Sequence, residues 1–146
     1  MAVSEFRIVP GGIHPLLLGM DREQTTRMMG EEPTTSGSRL PSEEVLRYGD
    51  ARVVMRDGRA VEISLVPSAK VLFEGKPLFD DPSVWRDLVT ADGDPREVLG
   101  FIVLPRLRLT LTGFHDGDES QLAVSAFEPG RWDILESEMR PFRLLR

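Results

Sequence analysis

The chain has no cysteine. That excludes disulfides, a thiolate metal centre and a cysteine nucleophile. Lysine is nearly absent too, with only Lys70 and Lys76. The 18 basic residues are outnumbered by 24 acidic ones, for a net charge of −6. Binding to nucleic acid draws on clustered Lys and Arg that neutralise phosphates, so no nucleic-acid partner is expected. A basic protein surface suits the charge better. No apolar run approaches the roughly 18 residues that a membrane-spanning helix needs, so no membrane partner is expected. Residues Met1 to Arg7 show no basic region followed by an apolar core, which predicts no secretory signal and a cytoplasmic location. The two histidines, His14 and His115, have no partner at metal-ligand spacing, so no metal and no cofactor is expected. There is no G-x-S-x-G elbow, no P-loop and no dinucleotide fingerprint. No catalytic residue is nominated, and the sequence reads as a non-enzyme.

What is present describes a folded domain. Hydrophobic residues make up 40% of the 146 and charged residues 29%, which is neither a disordered nor a membrane composition. A single domain over residues 1–146 is expected. Glu5 to Val9 alternates as a short strand, and Pro10-Gly11-Gly12 turns the chain. Leu16-Leu17-Leu18-Gly19 leads into a helix capped by Asp21, with Gln24 placed to close a capping box and Gly30 to stop it. Met28 and Met29, with Thr25 a turn earlier, give its inward side. Glu31 to Ser42 is rich in Glu, Pro, Thr, Ser and Gly and predicts a mobile loop. Val45 to Tyr48, Arg52 to Met55 and Ala60 to Val66 follow period two, with Asp57-Gly58 as a hairpin turn. Val71 to Phe73 is a further strand. Asp81 and Pro82 open a second helix, with Val84, Trp85, Leu88 and Val89 on one face and a turn at Ala91 to Pro95. Leu99 to Leu104 is a continuous apolar run, while Leu107, Leu109 and Leu111 alternate as a strand. Gln121 to Phe127 returns from an acidic loop at Phe114 to Ser120.

The helices begin about 60 residues apart, each after an apolar lead-in and before hairpins. This predicts an α+β fold of two similar halves, residues 5–67 and 68–135, with a tail at 136–146. The expected packing is one antiparallel sheet with two short helices on one face.

Few groups stand out as chemistry. Asp116, Asp118 and Ser120 mimic the opening of a calcium loop, but Gln121 and Phe127 occupy the positions that should be Gly and Glu, so the match fails. The cluster reads as a solvated hairpin loop or a partner contact. Trp85 is assigned to the core and Trp132 either to packing of the tail or to an interface. The candidate partner-binding residues are Glu31, Glu32, Asp116, Asp118, Glu119 and Trp132.

The stretch Leu18-Gly19-Met20-Asp21-Arg22-Glu23-Gln24 resembles the "L-G-M" helix opening of a group of small α+β proteins. It is similar to the tandem modules of the β-lactamase inhibitory proteins and to the small lipoproteins of the outer-membrane assembly machinery. The whole layout resembles a set of small actinobacterial proteins. The match runs through Gly11-Gly12-Ile13, Val61-Glu62-Ile63, Val71, Phe73, Gly75 and Leu78 to Val124 through Asp133. Asp21 replaces the usual Ser or Thr cap, and Arg131-Trp132 replaces two aromatics. The resemblance implies non-catalytic protein binding: an immunity or inhibitor protein that occludes a toxin, with a basic toxin domain as the partner. Two other classes stay open, a homodimeric assembly module pairing through a sheet edge, and a small-ligand binder or enzyme using a pocket.

Overall fold

The computed structural model describes residues 5–37 and 42–144. In chain order the elements are β1 (Phe6–Val9), β2 (Gly12–His14), β3 (Leu16–Leu17), α1 (Arg22–Met29), β4 (Thr34–Gly37), β5 (Glu43–Tyr48), β6 (Ala51–Arg56) and β7 (Arg59–Leu65). They continue with β8 (Val71–Phe73), β9 (Lys76–Pro77), α2 (Pro82–Asp92), β10 (Arg96–Val98), β11 (Phe101–Leu104), β12 (Leu109–Thr112), β13 (Ala123–Phe127) and β14 (Arg140–Pro141). Short 3-10 segments lie at Glu119–Gln121 and Asp133–Glu138. The fold is α+β and dominated by sheet. No described helix is long and apolar enough to cross a membrane.

There are two sheets where one was expected. The larger has nine strands in the order β14-β10-β11-β12-β13-β7-β6-β5-β4, all paired antiparallel. The smaller has the order β3-β2-β1-β8-β9 and includes one parallel pair, β1 with β8. The apolar lead-ins to the helices make this second sheet: their short strands pair with each other instead of extending the first.

Strand alternation sorts the large sheet into two faces. Leu46, Tyr48, Val53, Met55, Ile63, Leu65, Ile102, Leu104, Leu109, Leu111, Val124 and Ala126 share one core with Phe6, Ile13 and Leu16 of the small sheet. Met29 of α1 and Val84, Trp85, Leu88 and Val89 of α2 belong to the same core. The opposite, outer face carries Val45, Val54 and Val61 on one side and Val98, Val103 and Phe127 on the other.

Both helices form where their caps dictate. Asp21 Oδ1 accepts from the Gln24 amide at 2.8 Å, and Gln24 Oε1 accepts from the Asp21 amide at 2.9 Å, a complete capping box. Thr25 is fully buried, and its hydroxyl and that of Thr26 each lie 2.9 Å from the Tyr48 hydroxyl, which ties α1 to β5. Asp81 caps α2 through the Ser83 amide, and Pro82 is the first helical residue.

Four expectations are corrected. The Glu31–Ser42 segment is not all loop: Thr34–Gly37 forms β4, paired with β5, because its backbone completes the sheet although its side chains stay exposed. Residues 38–41 of that segment lie outside the described residues. Leu99 to Leu104 is interrupted, since Leu99 and Gly100 form the two-residue turn between β10 and β11. The strand expected from Leu107 begins at Leu109, after a four-residue turn with Arg108 at φ +56°.

Asp92 is not a turn residue either. It is the last residue of α2, buried, and its carboxylate accepts from the amides of Arg106 and Leu107 at 2.8 Å each and of Asp94 at 3.1 Å. Three backbone donors replace the water that a buried carboxylate loses, so Asp92 fastens the helix to the β11–β12 turn.

Candidate protein-docking surface

The register places several loops at one end of the large sheet. Tyr48 pairs with Ala51, Ala51 with Leu65, Leu65 with Val124 and Leu111 with Ile102, so the connections beyond these residues emerge together. They are the Glu31–Glu32 approach to β4, the Gly49–Asp50 turn, Val66, the loop from Gly113 to Leu122, and the Leu99–Gly100 turn.

The acidic loop is built by its own carboxylates. Asp116 Oδ1 accepts from the Asp118 amide at 3.1 Å, and Asp118 Oδ1 accepts from the Ser120 amide and hydroxyl. The Thr112 hydroxyl donates to the Gln121 carbonyl at 2.6 Å. Gly113 closes the base: at φ +83° a Cβ there would meet the Asp118 carbonyl oxygen and the Leu122 nitrogen at 2.6 Å. Asp116, Asp118 and Glu119 are exposed, and none forms an ion pair among the described residues. Glu31 and Glu32 are likewise exposed and Asp50 is half-buried, and none of these three forms an ion pair among the described residues.

Beside this loop is Leu99. It shares a surface groove of about 280 Å³ with His115, whose Nδ1 has no hydrogen-bond partner. Three two-residue hairpins in the fold have both central residues at positive φ, the mark of a type I′ turn: Asp57-Gly58, Glu74-Gly75 and Leu99-Gly100. The first two put an acidic residue at the strained position. The third puts leucine there, at φ +51° and 72% exposed. Left-handed backbone costs a branched apolar residue about 1 kcal/mol, and water contact gains nothing for its side chain. Val66, 41% exposed, lies at the same end of the sheet.

The candidate residues from the sequence are therefore distributed unequally. Asp116, Asp118 and Glu119 follow His115, the loop residue that shares the groove with Leu99. Glu31 and Glu32 are exposed at the same end but near β4, four strand spacings from β13, roughly 20 Å. Trp132 belongs to neither. It is half-buried on the outer face, 5.0 Å from Phe101 and 6.2 Å from Phe127 between ring centroids. Leu99 was missed because it lies within an apolar run; the signal was the Leu-Gly pair between two β-rich segments.

Sequence reading also missed an ion network on the outer face. Arg131 donates to both oxygens of Glu43, at 2.9 and 3.2 Å, and through Nε to Glu62 at 3.1 Å. Arg52 reaches Glu62 at 3.3 Å, and Arg56 pairs with Glu128 and approaches Glu43 at 3.9 Å. The Glu43 side chain is 1% exposed. Burial alone would lower the Arg131 pKa, but the hydrogen bonds to Glu43, and after them the charge of Glu62, more than reverse this and raise it above the ordinary arginine value. These six residues come from four separate stretches of chain, so no local motif announces them. Chemically the network is closed: its carboxylates are held by arginines and its arginines by carboxylates.

No family model matches the sequence, and neither the curated proteins nor the solved structures provide a match.

Proposed function

We propose that this chain is a non-catalytic protein-binding module of the immunity or inhibitor type, which docks a basic partner on the end of the large sheet formed by Leu99, Asp116, Asp118 and Glu119. The observation that carries the reading is Leu99. Strain and exposure fall on one residue, at the same end of the sheet as carboxylates that form no ion pair with an arginine or lysine of the described chain. Residues that break a folding rule without a folding gain concentrate at functional sites. An apolar anchor beside unpaired acid suits a basic surface, since the anchor supplies buried area and the acid speeds encounter.

The two-halves reading enters here as well. The sheet order juxtaposes two four-strand meanders, β4 to β7 and β10 to β13, which meet at the β7–β13 pair, and each follows one helix. We read these as two related modules with their helices on the core side, the arrangement that the resemblance to inhibitory proteins implies.

The test begins with the partner that co-purifies with the native protein, followed by binding kinetics. Charge reversal at Asp116, Asp118 and Glu119 should slow association at least about tenfold and flatten its salt dependence. Unchanged kinetics would remove this surface from the interface.

One observation favours a second reading, a homodimer through a sheet edge. β9 and β14 carry proline at their edges, whereas β4 presents four exposed residues, Thr34-Thr35-Ser36-Gly37, with neither charge nor proline among them. Light scattering separates the readings: a dimer that Thr35→Pro converts to monomer supports the edge.

A further inference from the structure

The opposite end of the large sheet holds a cavity of about 320 Å³, and one residue on its wall is unexplained by the fold. Arg108 sits at φ +56°, a costly backbone conformation for a long side chain. Its Nε is sealed from solvent and has no hydrogen-bond partner, and its guanidinium makes no ion pair among the described residues. An arginine is normally fixed by a carboxylate or a carbonyl, and a sealed donor without an acceptor is destabilising. Two costs thus meet at the same cation, as they do at Leu99, and here the cation borders a cavity.

The remaining wall specifies what would satisfy it. Phe127, Trp132 and Met139 give one apolar side. Of the other charges, Arg96 and Glu136 are paired with each other at 3.7 Å, and Arg96 also with Asp94 at 3.0 Å. That leaves Asp133, whose carboxylate has no ion pair among the described residues. The cavity therefore presents one unengaged cation, one unengaged anion and an aromatic side.

We infer that this cavity binds a free amino acid with an apolar side chain. The guanidinium of Arg108 takes the α-carboxylate in a forked pair, Asp133 takes the α-ammonium, and the side chain lies against Trp132 and Phe127. A multiply charged anion such as a phosphate monoester fits less well, because Asp133 and Glu136 line the same space. The site is at the far end of the sheet from Leu99, so it stands or falls independently of the docking surface.

The test uses L-phenylalanine as the probe, with phenylacetate and 2-phenylethylamine as the two half-molecules. Titration calorimetry should show saturable one-to-one binding of L-phenylalanine, with a shift in tryptophan emission from Trp132. Each half-molecule should bind at least about tenfold more weakly. Arg108→Gly is the decisive variant: glycine accepts φ +56° without strain, so its melting temperature should hold or rise while affinity falls at least about tenfold. Asp133→Asn should lose the preference for L-phenylalanine over phenylacetate. Absence of saturable binding up to about 10 mM would overturn the proposal. So would equal affinity in Arg108→Gly, and phenylacetate binding as tightly as L-phenylalanine would overturn the amino-acid assignment.

Discussion

The outer-face network and the acidic loop end use the same residue types in opposite ways. In the network, Glu43, Glu62 and Glu128 are each engaged by an arginine, and the most buried of them, Glu43, receives both arms of Arg131. At the loop end, Asp116, Asp118 and Glu119 face solvent with no cation partner among the described residues. Charge in the first region holds the Pro129-Gly130 turn and the 3-10 segment after it against the sheet. Charge in the second region is free to act on something outside the chain. Net charge alone does not distinguish these uses; pairing and burial do.

The contrast breaks most visibly at Arg131. Arg131→Met keeps much of the side-chain volume but removes both hydrogen bonds that the buried Glu43 accepts from Arg131, leaving Arg56 at 3.9 Å, and should cost about 3 kcal/mol in denaturant unfolding. The double variant Arg131→Met with Glu43→Gln should recover part of that loss, because a neutral amide needs less compensation in this buried position than a carboxylate does. A coupling energy near zero in this cycle would mean that the network does not act as a unit. Asp92→Ala comes next, at about 2–3 kcal/mol, since it leaves the Arg106, Leu107 and Asp94 amides without their acceptor. Triple charge reversal at the acidic loop should move stability much less, within about 1 kcal/mol, because these side chains bond only within their own loop.

The same division explains what could be read in the sequence. The capping box at Asp21 and Gln24, the Pro82 helix start, the Asp57-Gly58 hairpin and the buried face of α2 are all local, written within a few residues. They were legible for that reason. The acidic loop was legible as composition. The ion network was not, because Glu43, Arg56, Glu62 and Arg131 are brought together only by the β5-β6-β7 register and the turn after β13. The second sheet was hidden for a similar reason: β1 finds its parallel partner β8 more than sixty residues away. β4 was masked by its composition, since polar edge strands look like loops until a neighbour supplies the hydrogen bonds. Leu99 was hidden by its neighbours, as a leucine among apolar residues suggests burial.

A pH titration sharpens the comparison in a third setting, an exposed carboxylate whose only role is local. Hydrogen bonds from the Ser83 hydroxyl and then from its backbone amide hold the Asp81 carboxyl below the usual aspartate value of 3.8. Its contribution to α2 is therefore complete above that value and is lost as pH falls through the lower folded-state value. Asp81→Asn, which still caps, should remove this acid-limb dependence with little change at neutral pH, as followed by helix circular dichroism.

Leu99 offers a small effect on stability and the most pointed one. Asparagine accepts left-handed backbone more readily than leucine and is the common residue before glycine in a type I′ turn. Leu99→Asn should therefore stabilise the protein, by about 0.5–1 kcal/mol, while removing an exposed apolar side chain from the surface offered to a partner. Stabilisation together with weaker partner binding is the pattern of a residue kept for recognition at the expense of the fold. If Leu99→Asn instead lowered the melting temperature, the leucine would have a structural role, and the acidic loop would be left without its anchor. If it stabilised the chain and left partner affinity untouched, the docking surface would have to be sought elsewhere, starting with the unguarded edge of β4.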